Sequence, residues 1–334
     1  METNDSLKKI WKELLKANNI LTTLHPSPDG DSLGSCISMK YVLERLGKRV
    51  TIISHDRLEE NLQKMPWSKE VEFNKDISEV NTQSYDLLLF LDCGGLDHIS
   101  SKLLRNYTIP KNIKIINIDH HPTNGLFGDF NYIKTNAVST CSILLDLFKE
   151  NNIKIDKELS ERLLLGICTD AGFFQFKNNA EKAMKETLSL MDNHADYFEK
   201  ILKPIIYNQS LKVKKIISYA FLHMKTNNKI KLAYASFSKK ELKEFDADPE
   251  DTKMVANEME KIAGIDFVFK LVEKDNVIGG SFRSNKGIDV SLFAKELGGG
   301  GHKAAAGFSL PLMNIEKAEQ VVLNTISKVG IHRV

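Results

Sequence analysis

The chain has 334 residues, 42% hydrophobic and 27% charged, which excludes a disordered or fibrous protein and leaves room for two cores. Its 46 basic and 44 acidic residues give a net charge of +2, excluding a general electrostatic hold on long nucleic acid, so that any nucleotide contact must be local. No segment approaches the roughly 20 apolar residues of a membrane span, and Met1-Glu2-Thr3-Asn4-Asp5 is acidic and polar rather than a basic leader; a cytoplasmic protein without a membrane partner is expected.

Residues 6–17 carry Leu7, Ile10, Trp11, Leu14 and Leu15 at helical spacing, and a β run from Ile20 to Leu24 follows. Next comes His25-Pro26-Ser27-Pro28-Asp29-Gly30-Asp31-Ser32-Leu33-Gly34, where two prolines and glycine argue against helix. Helical spacing resumes with Cys36, Met39, Val42, Leu43 and Leu46 and stops at Gly47. Arg49 to Ser54 is a second β run, followed by an irregular stretch through Pro66 and Trp67. Leu87 to Leu91 and Ile113 to Ile118 are apolar runs rather than alternating ones, the mark of strands covered on both faces, and they end in Asp92 and Asp119. Residues 139–150 and 158–168 read as helices, the second running into Thr169-Asp170. This alternation predicts an α/β fold with a mainly parallel, doubly wound sheet whose ligands collect outside the carboxyl ends of the strands.

A lysine-rich helical stretch, 192–226, reads as a linker between a first domain, 1–191, and a smaller α/β domain, 227–334. In the latter, Lys231 to Phe237, Ile265 to Val272 and Val277 to Phe282 are strand candidates. Asp251 to Ile262, Ile288 to Leu297 and Asn314 to Val329 are helix candidates. The four cysteines, Cys36, Cys93, Cys141 and Cys168, stand singly in apolar segments without a C-x-x-C pair, as buried free thiols would.

His25, Asp29, Asp31, Asp92, Asp119, His120, His121 and Asp170 mix hard oxygen donors with imidazoles. Singly, Asp29, Asp31, Asp92 or Asp170 would be a cap or turn residue, and an EF-hand is rejected because Lys40 stands where its glutamate belongs. Their joint placement at successive element ends points instead to a metal centre. Five converging carboxylates need added positive charge, most simply two divalent ions, and carboxylate with imidazole but no thiolate favours Mn²⁺ over Mg²⁺, Fe²⁺, Co²⁺ or Zn²⁺. Two ions about 3.5–4 Å apart suit phosphoester hydrolysis, with a shared carboxylate between them. Asp92, alone at its strand end, is the candidate bridge. Gly298 to Gly301 before His302 fit neither a Walker loop nor a dinucleotide fingerprint, but unshielded N–H groups there admit an anion. Arg283 ends the preceding strand, where a guanidinium could clamp phosphate or stack on a base.

In these residues the chain resembles the DHH phosphoesterase superfamily, specifically DHH–DHHA1 members of the bacterial nanoRNase and 3′-phosphoadenosine-5′-phosphate phosphatase type. His25-x-x-x-Asp29-x-Asp31, Asp92, Asp119-His120-His121 and Asp170 stand in the family's order, and Gly299-Gly300-Gly301-His302 with Arg283 resembles its second-domain signature. The resemblance implies one Mn²⁺ held by His25, Asp29 and Asp92 and a second by Asp31, Asp92, His120 and Asp170. It also implies that Asp119 orients His120 or helps position water, and that His121 meets the scissile phosphate. Arg283, Ser284, Gly299, Gly300, Gly301 and His302 would hold the nucleotide, with the second domain closing the active-site cleft. The implied activity is hydrolysis of very short RNA, including linear dinucleotides such as pApA, to 5′-mononucleotides, and of 3′-phosphoadenosine-5′-phosphate to AMP. The partner is then a short RNA or nucleotide rather than long duplex, with a homodimer as the family's form. A cyclic-dinucleotide phosphodiesterase, a single-strand exonuclease and a non-catalytic nucleotide-binding protein are the competing readings.

Overall fold

In chain order, the first elements are α1 (Leu7–Lys16), β1 (Asn19–Thr23), α2 (Gly30–Arg45), β2 (Arg49–Ser54), α3 (Glu60–Gln63), β3 (Val71–Phe73), β4 (Leu87–Leu91), β5 (Lys114–Asp119) and β6 (Phe130–Ile133). Helices α4 (Thr140–Glu150), α5 (Lys157–Asp170) and α6 (Ala180–Met191) follow, then a π-helical segment, Phe198–Tyr207. The computed structural model describes residues 5–96, 99–100, 113–175 and 179–333; the acidic start, Met1 to Asn4, lies outside them. Two compact units result, Met1–Asn208 and Gln209–Val334, so the division falls within the helical stretch 192–226.

Strands β1 to β6 form one all-parallel sheet in the order β3-β2-β1-β4-β5-β6. All five residues of β4 are buried, and alternate ones serve different cores: Leu87, Leu89 and Leu91 join the large cluster with α1, α2, α4 and α5, whereas Leu88 and Phe90 join a smaller cluster with Leu21, Ile53 and Ile77. Two-sided burial explains the unbroken apolar run. The order reverses between β1 and β4, and in open α/β sheets ligands bind outside the carboxyl ends of the strands at such a switch point.

Helix α2 begins at Gly30, earlier than the prolines suggested. Pro26 and Pro28 both precede the N-cap, Asp29, whose Oδ1 accepts from the N–H groups of Asp31 and Ser32, each at 3.0 Å. The four cysteines are buried and free. Strands β3 and β6 lie in stretches without a clear sequence signal, and only pairing with β2 and β5 makes them strands.

The second unit comprises α7 (Leu211–His223), β7 (Lys225–Asn227), β8 (Leu232–Phe237), α8 (Lys239–Glu244), α9 (Lys253–Met259), β9 (Phe267–Glu273), β10 (Val277–Arg283), α10 (Ser291–Glu296), β11 (Gly300–Gly301), β12 (Ala305–Pro311) and α11 (Ile315–Val329). Its sheet runs β11-β12-β10-β9-β8-β7, with only β8 and β9 parallel. Phe267, Phe269, Phe282 and Phe308 pack one face against α10 and α11. Ala233, Val268 and Val272 pack the other against α7 and α9.

Close approach of α2, α4 and α5 brings the acidic loop ends of the first unit together. A Cβ at Gly166 of α5 would stand 2.3 Å from Asp31 Oδ1 and 2.4 Å from Cys141 Sγ, and one at Gly34 of α2 would stand 2.9 Å from the Gly166 nitrogen. Gly166→Ala is therefore expected to lower the unfolding free energy by about 1–3 kcal/mol through overpacking, read from urea denaturation of the metal-free protein.

Candidate metal centre

Asp92 follows β4 and stands in the left-handed region at φ 60°, a conformation aspartate tolerates better than most residues. It is 3% exposed. Its two oxygens meet different imidazoles: Oδ2 is 3.5 Å from His25 Nε2, and Oδ1 is 3.4 Å from His120 Nε2. His25 Nε2 is also 3.5 Å from Asp29 Oδ1, and His120 Nε2 is 3.4 Å from Asp170 Oδ2. The structure thus gathers His25 with Asp29 and Asp92, Asp31 with His120 and Asp170, and Asp92 with Asp119, His120 and His121, each group having ligand atoms within 4.8 Å of one another.

A cation fits this donor set. The four His–Asp separations exceed the usual 2.7–3.2 Å of a nitrogen–oxygen hydrogen bond, yet ligands at right angles on an ion with bonds of about 2.1 Å stand about 3 Å apart. His25 Nδ1 lies 2.9 Å from the Pro26 carbonyl, and donating its proton there leaves Nε2 as the ligating nitrogen.

Charge leads to the same inference. Burial, reinforced by Asp92, pushes the Asp31 carboxyl up to about 7. Burial, with Asp31 next, pushes Asp170 well above the carboxylate range. For Asp92 burial acts upward too, but His120 and His25 outweigh it and hold the group well below that range. Burial alone would lower His120, but Asp92, Asp170 and Asp31 push it up to about 10. Carboxylates and imidazoles whose proton affinity is raised side by side mark a place that needs added positive charge.

Two backbone and side-chain devices escaped the sequence. The N-terminus of α4 grips Asp31: Thr140 N–H donates to Oδ2 at 2.6 Å and Cys141 N–H to Oδ1 at 3.0 Å, where the helix dipole favours negative charge. Thr140 Oγ1 also donates to Asp92 Oδ1 at 3.1 Å. Ser139-Thr140 ahead of an apolar helix is a legible helix start, but nothing local says what it faces. Asn124 Nδ2 donates to Asp119 Oδ2 at 2.7 Å and to Asn117 Oδ1 at 2.8 Å. The ring that Asp119 holds is that of His121, through Nδ1 at 2.7 Å; to His120 it offers Oδ1 only for the backbone N–H, at 2.8 Å.

In the second unit, Arg283 Nε donates to Asn257 Oδ1 and Nη1 to the Phe282 carbonyl, both at 2.8 Å. The Ser284 hydroxyl is buried and bonds the Asp266 carbonyl at 2.9 Å, so it ties a turn. Gly298 takes φ +78° at the end of α10 and Gly301 φ +138°. A Cβ at Gly299 would stand 2.1 Å from the Gly307 carbonyl oxygen, while Gly300 alone of the four has open space and no unusual φ. His302 is exposed, and its N–H donates to the Ala305 carbonyl at 2.7 Å.

Residues 19–167 match the DHH family, N-terminal domain, and residues 227–328 match the DHHA1 domain. The chain is 26% identical over 309 residues to a Bacillus subtilis protein named bifunctional oligoribonuclease and PAP phosphatase NrnA, covering 89% of this chain and 92% of that relative. A Thermus thermophilus protein of the same name is 25% identical over 339 residues, covering 98% and 97%. In fold the chain is similar to an exopolyphosphatase-related protein from Bacteroides fragilis, with TM-score 0.89, 24% identity, and coverage of 96% of this chain and 95% of that one.

Ligation must displace protons from groups whose affinity for them is raised, so Mn²⁺ binding is expected to release protons near pH 7 and to weaken as pH falls through the Asp31 value of about 7. Calorimetric titration of Mn²⁺ in buffers of different ionisation enthalpy measures both; binding without proton release would contradict it.

Proposed function

We propose that this chain, which belongs to the DHH–DHHA1 phosphoesterase family, hydrolyses very short oligoribonucleotides, including linear dinucleotides such as pApA, to 5′-mononucleotides, and 3′-phosphoadenosine-5′-phosphate to AMP. That the chain is a hydrolase follows from the family and from its relatives; the substrates are our reading of the relatives' names. The observation that carries the mechanism is Asp92, which turns one oxygen to each of two His–Asp groups. No described helix is long and apolar enough to cross a membrane.

We assign one divalent ion to His25, Asp29 and Asp92, and a second to Asp31, Asp92, His120 and Asp170, with Mn²⁺ favoured by the donor types. Such a pair, when bound, supplies Lewis-acid polarisation of the phosphoester and an activated water at neutral pH. Asp92 keeps both groups in register because it belongs to each. Asp119 fixes His121 through Nδ1 and is itself held by Asn124, so His121 presents Nε2 to a phosphate oxygen. Burial alone would lower the His121 ring, but Asp119 raises it above its ordinary value, which favours the protonated, donating form. Arg283, already seated on Asn257, has little side-chain freedom left to lose when it meets a phosphate or a base. Gly299, Gly300, Gly301 and His302 complete the nucleotide contacts in this assignment, and Ser284 supports the turn behind Arg283.

The test is turnover by purified protein with Mn²⁺ of pApA, a labelled five-nucleotide RNA, 3′-phosphoadenosine-5′-phosphate and pyrophosphate. The expected outcome is hydrolysis of the nucleotide substrates, lost by about 10³-fold or more in Asp92→Ala, equivalent to several kcal/mol of barrier. Turnover of pyrophosphate alone would replace the reading with a pyrophosphatase. An Asp92→Ala variant with wild-type activity would refute the metal assignment.

A further inference from the structure

On the face of the second sheet that carries Val268, Lys270 and Val272, the middle of β10 and β12, between Val277 and Arg283 and between Ala305 and Pro311, presents only glycine and serine. Gly279 and Ser281 of β10 and Gly307 and Ser309 of β12 lie in register beside Val272 and Lys270. Their other face is filled by Ile278, Phe282, Phe308 and Leu310. The bare face forms a pocket of about 460 Å³ lined by Lys270, Lys274, Ser281 and Ser309, and by Gly298 and Gly299 at the start of the glycine run.

Lys270 is out of place in an ordinary core. It is 7% exposed, and Nζ donates to Thr252, at 2.9 Å to Oγ1 and 3.3 Å to the carbonyl. Among the described residues no carboxylate lies within 4.0 Å of it. The charges that act on it most are Lys274, Arg283 and Lys253, which oppose it, and Glu250, which favours it but is already paired with Lys253 at 2.8 Å and Lys274 at 3.5 Å. A tie to Thr252 needs no charge, and a neutral side chain would serve it without this repulsion. Burial first, then Lys274 and Arg283, pushes the ammonium down to about 7, as expected for a buried cation with no carboxylate of its own and other cations nearby. An anion entering the pocket would restore the charge, with the Ser281 and Ser309 hydroxyls as added donors.

We propose that the pocket between Lys270, Lys274 and the start of the glycine run seats a phosphate group of the nucleotide substrate, and that the two lysines set affinity for the nucleotide chain rather than the rate of the chemical step. The inference rests on the short-RNA reading above. Steady-state hydrolysis of the five-nucleotide RNA with Mn²⁺ tests it across a range of salt, in wild type, Lys270→Met and Lys274→Glu. The Lys274 side chain is 43% exposed, so its variant is expected to fold even if loss of Lys270 disturbs the core. Each variant is expected to raise KM about tenfold, equivalent to about 1.4 kcal/mol, with kcat held. The slope of log kcat/KM against log salt should be shallower by about 0.7, the value for a single strand with one phosphate fewer neutralised by the protein. A merely structural lysine would leave that slope unchanged. Wild-type turnover with unaltered KM and salt slope in both variants would overturn this inference alone; a wild type that hydrolyses no short RNA would overturn the functional reading and this inference with it.

Discussion

The carboxylate of Asp92, 3.5 Å from one imidazole and 3.4 Å from another, is where the two halves of the centre meet. It is 3% exposed, and a buried carboxylate shared by two histidines is tolerable only while positive charge stands beside it. The neighbouring carboxylates raise His25 and His120 above the ordinary imidazole value against the pull of burial, which favours positive charge at that point. The same side chains could hold a divalent cation in place of that charge.

The scaffold serves this one point. Reversal of strand order between β1 and β4 places the His25 loop beside Asp92. The N-terminus of α4 holds Asp31 by two backbone N–H groups, and the glycines of α2 and α5 let the helices close enough for Asp31 to reach it. Asp119 lies one strand further out and is fully buried; it positions His121. In the second unit the buried Lys270 lies among Lys274, Lys253 and Arg283, with Glu250 and Glu260 as acids beside them.

Much of the first sheet was legible because burial on both faces leaves a plain mark: Leu87 to Leu91 is apolar throughout, Ile115 to Ile118 is broken only by Asn117, and the residues ending those runs are Asp92 and Asp119. Asp170, at the last position of α5, was legible as a helix terminus. Thr140 and Asn124 were not, since an N-cap neighbour and a loop asparagine look ordinary until the fold shows which carboxylates they touch. Strand β12 begins Ala305-Ala306-Gly307, with no β propensity of its own, and owes its form to pairing with β10. Within the glycine run the backbone explains Gly298 and Gly301 and packing explains Gly299, so a motif read for its openness to ligand also has local work in the fold. Lys270 in Phe267-Val268-Phe269-Lys270-Leu271 reads as one polar break in a strand; only burial beside other cations sets it apart.

The central claim is that Asp92 is shared by two divalent ions. Anomalous scattering from crystals of the full chain grown with Mn²⁺ tests it directly. The account predicts two manganese peaks, both in contact with Asp92, one also touching His25 and Asp29 and the other Asp31, His120 and Asp170. A single peak, or two peaks of which only one touches Asp92, would contradict it.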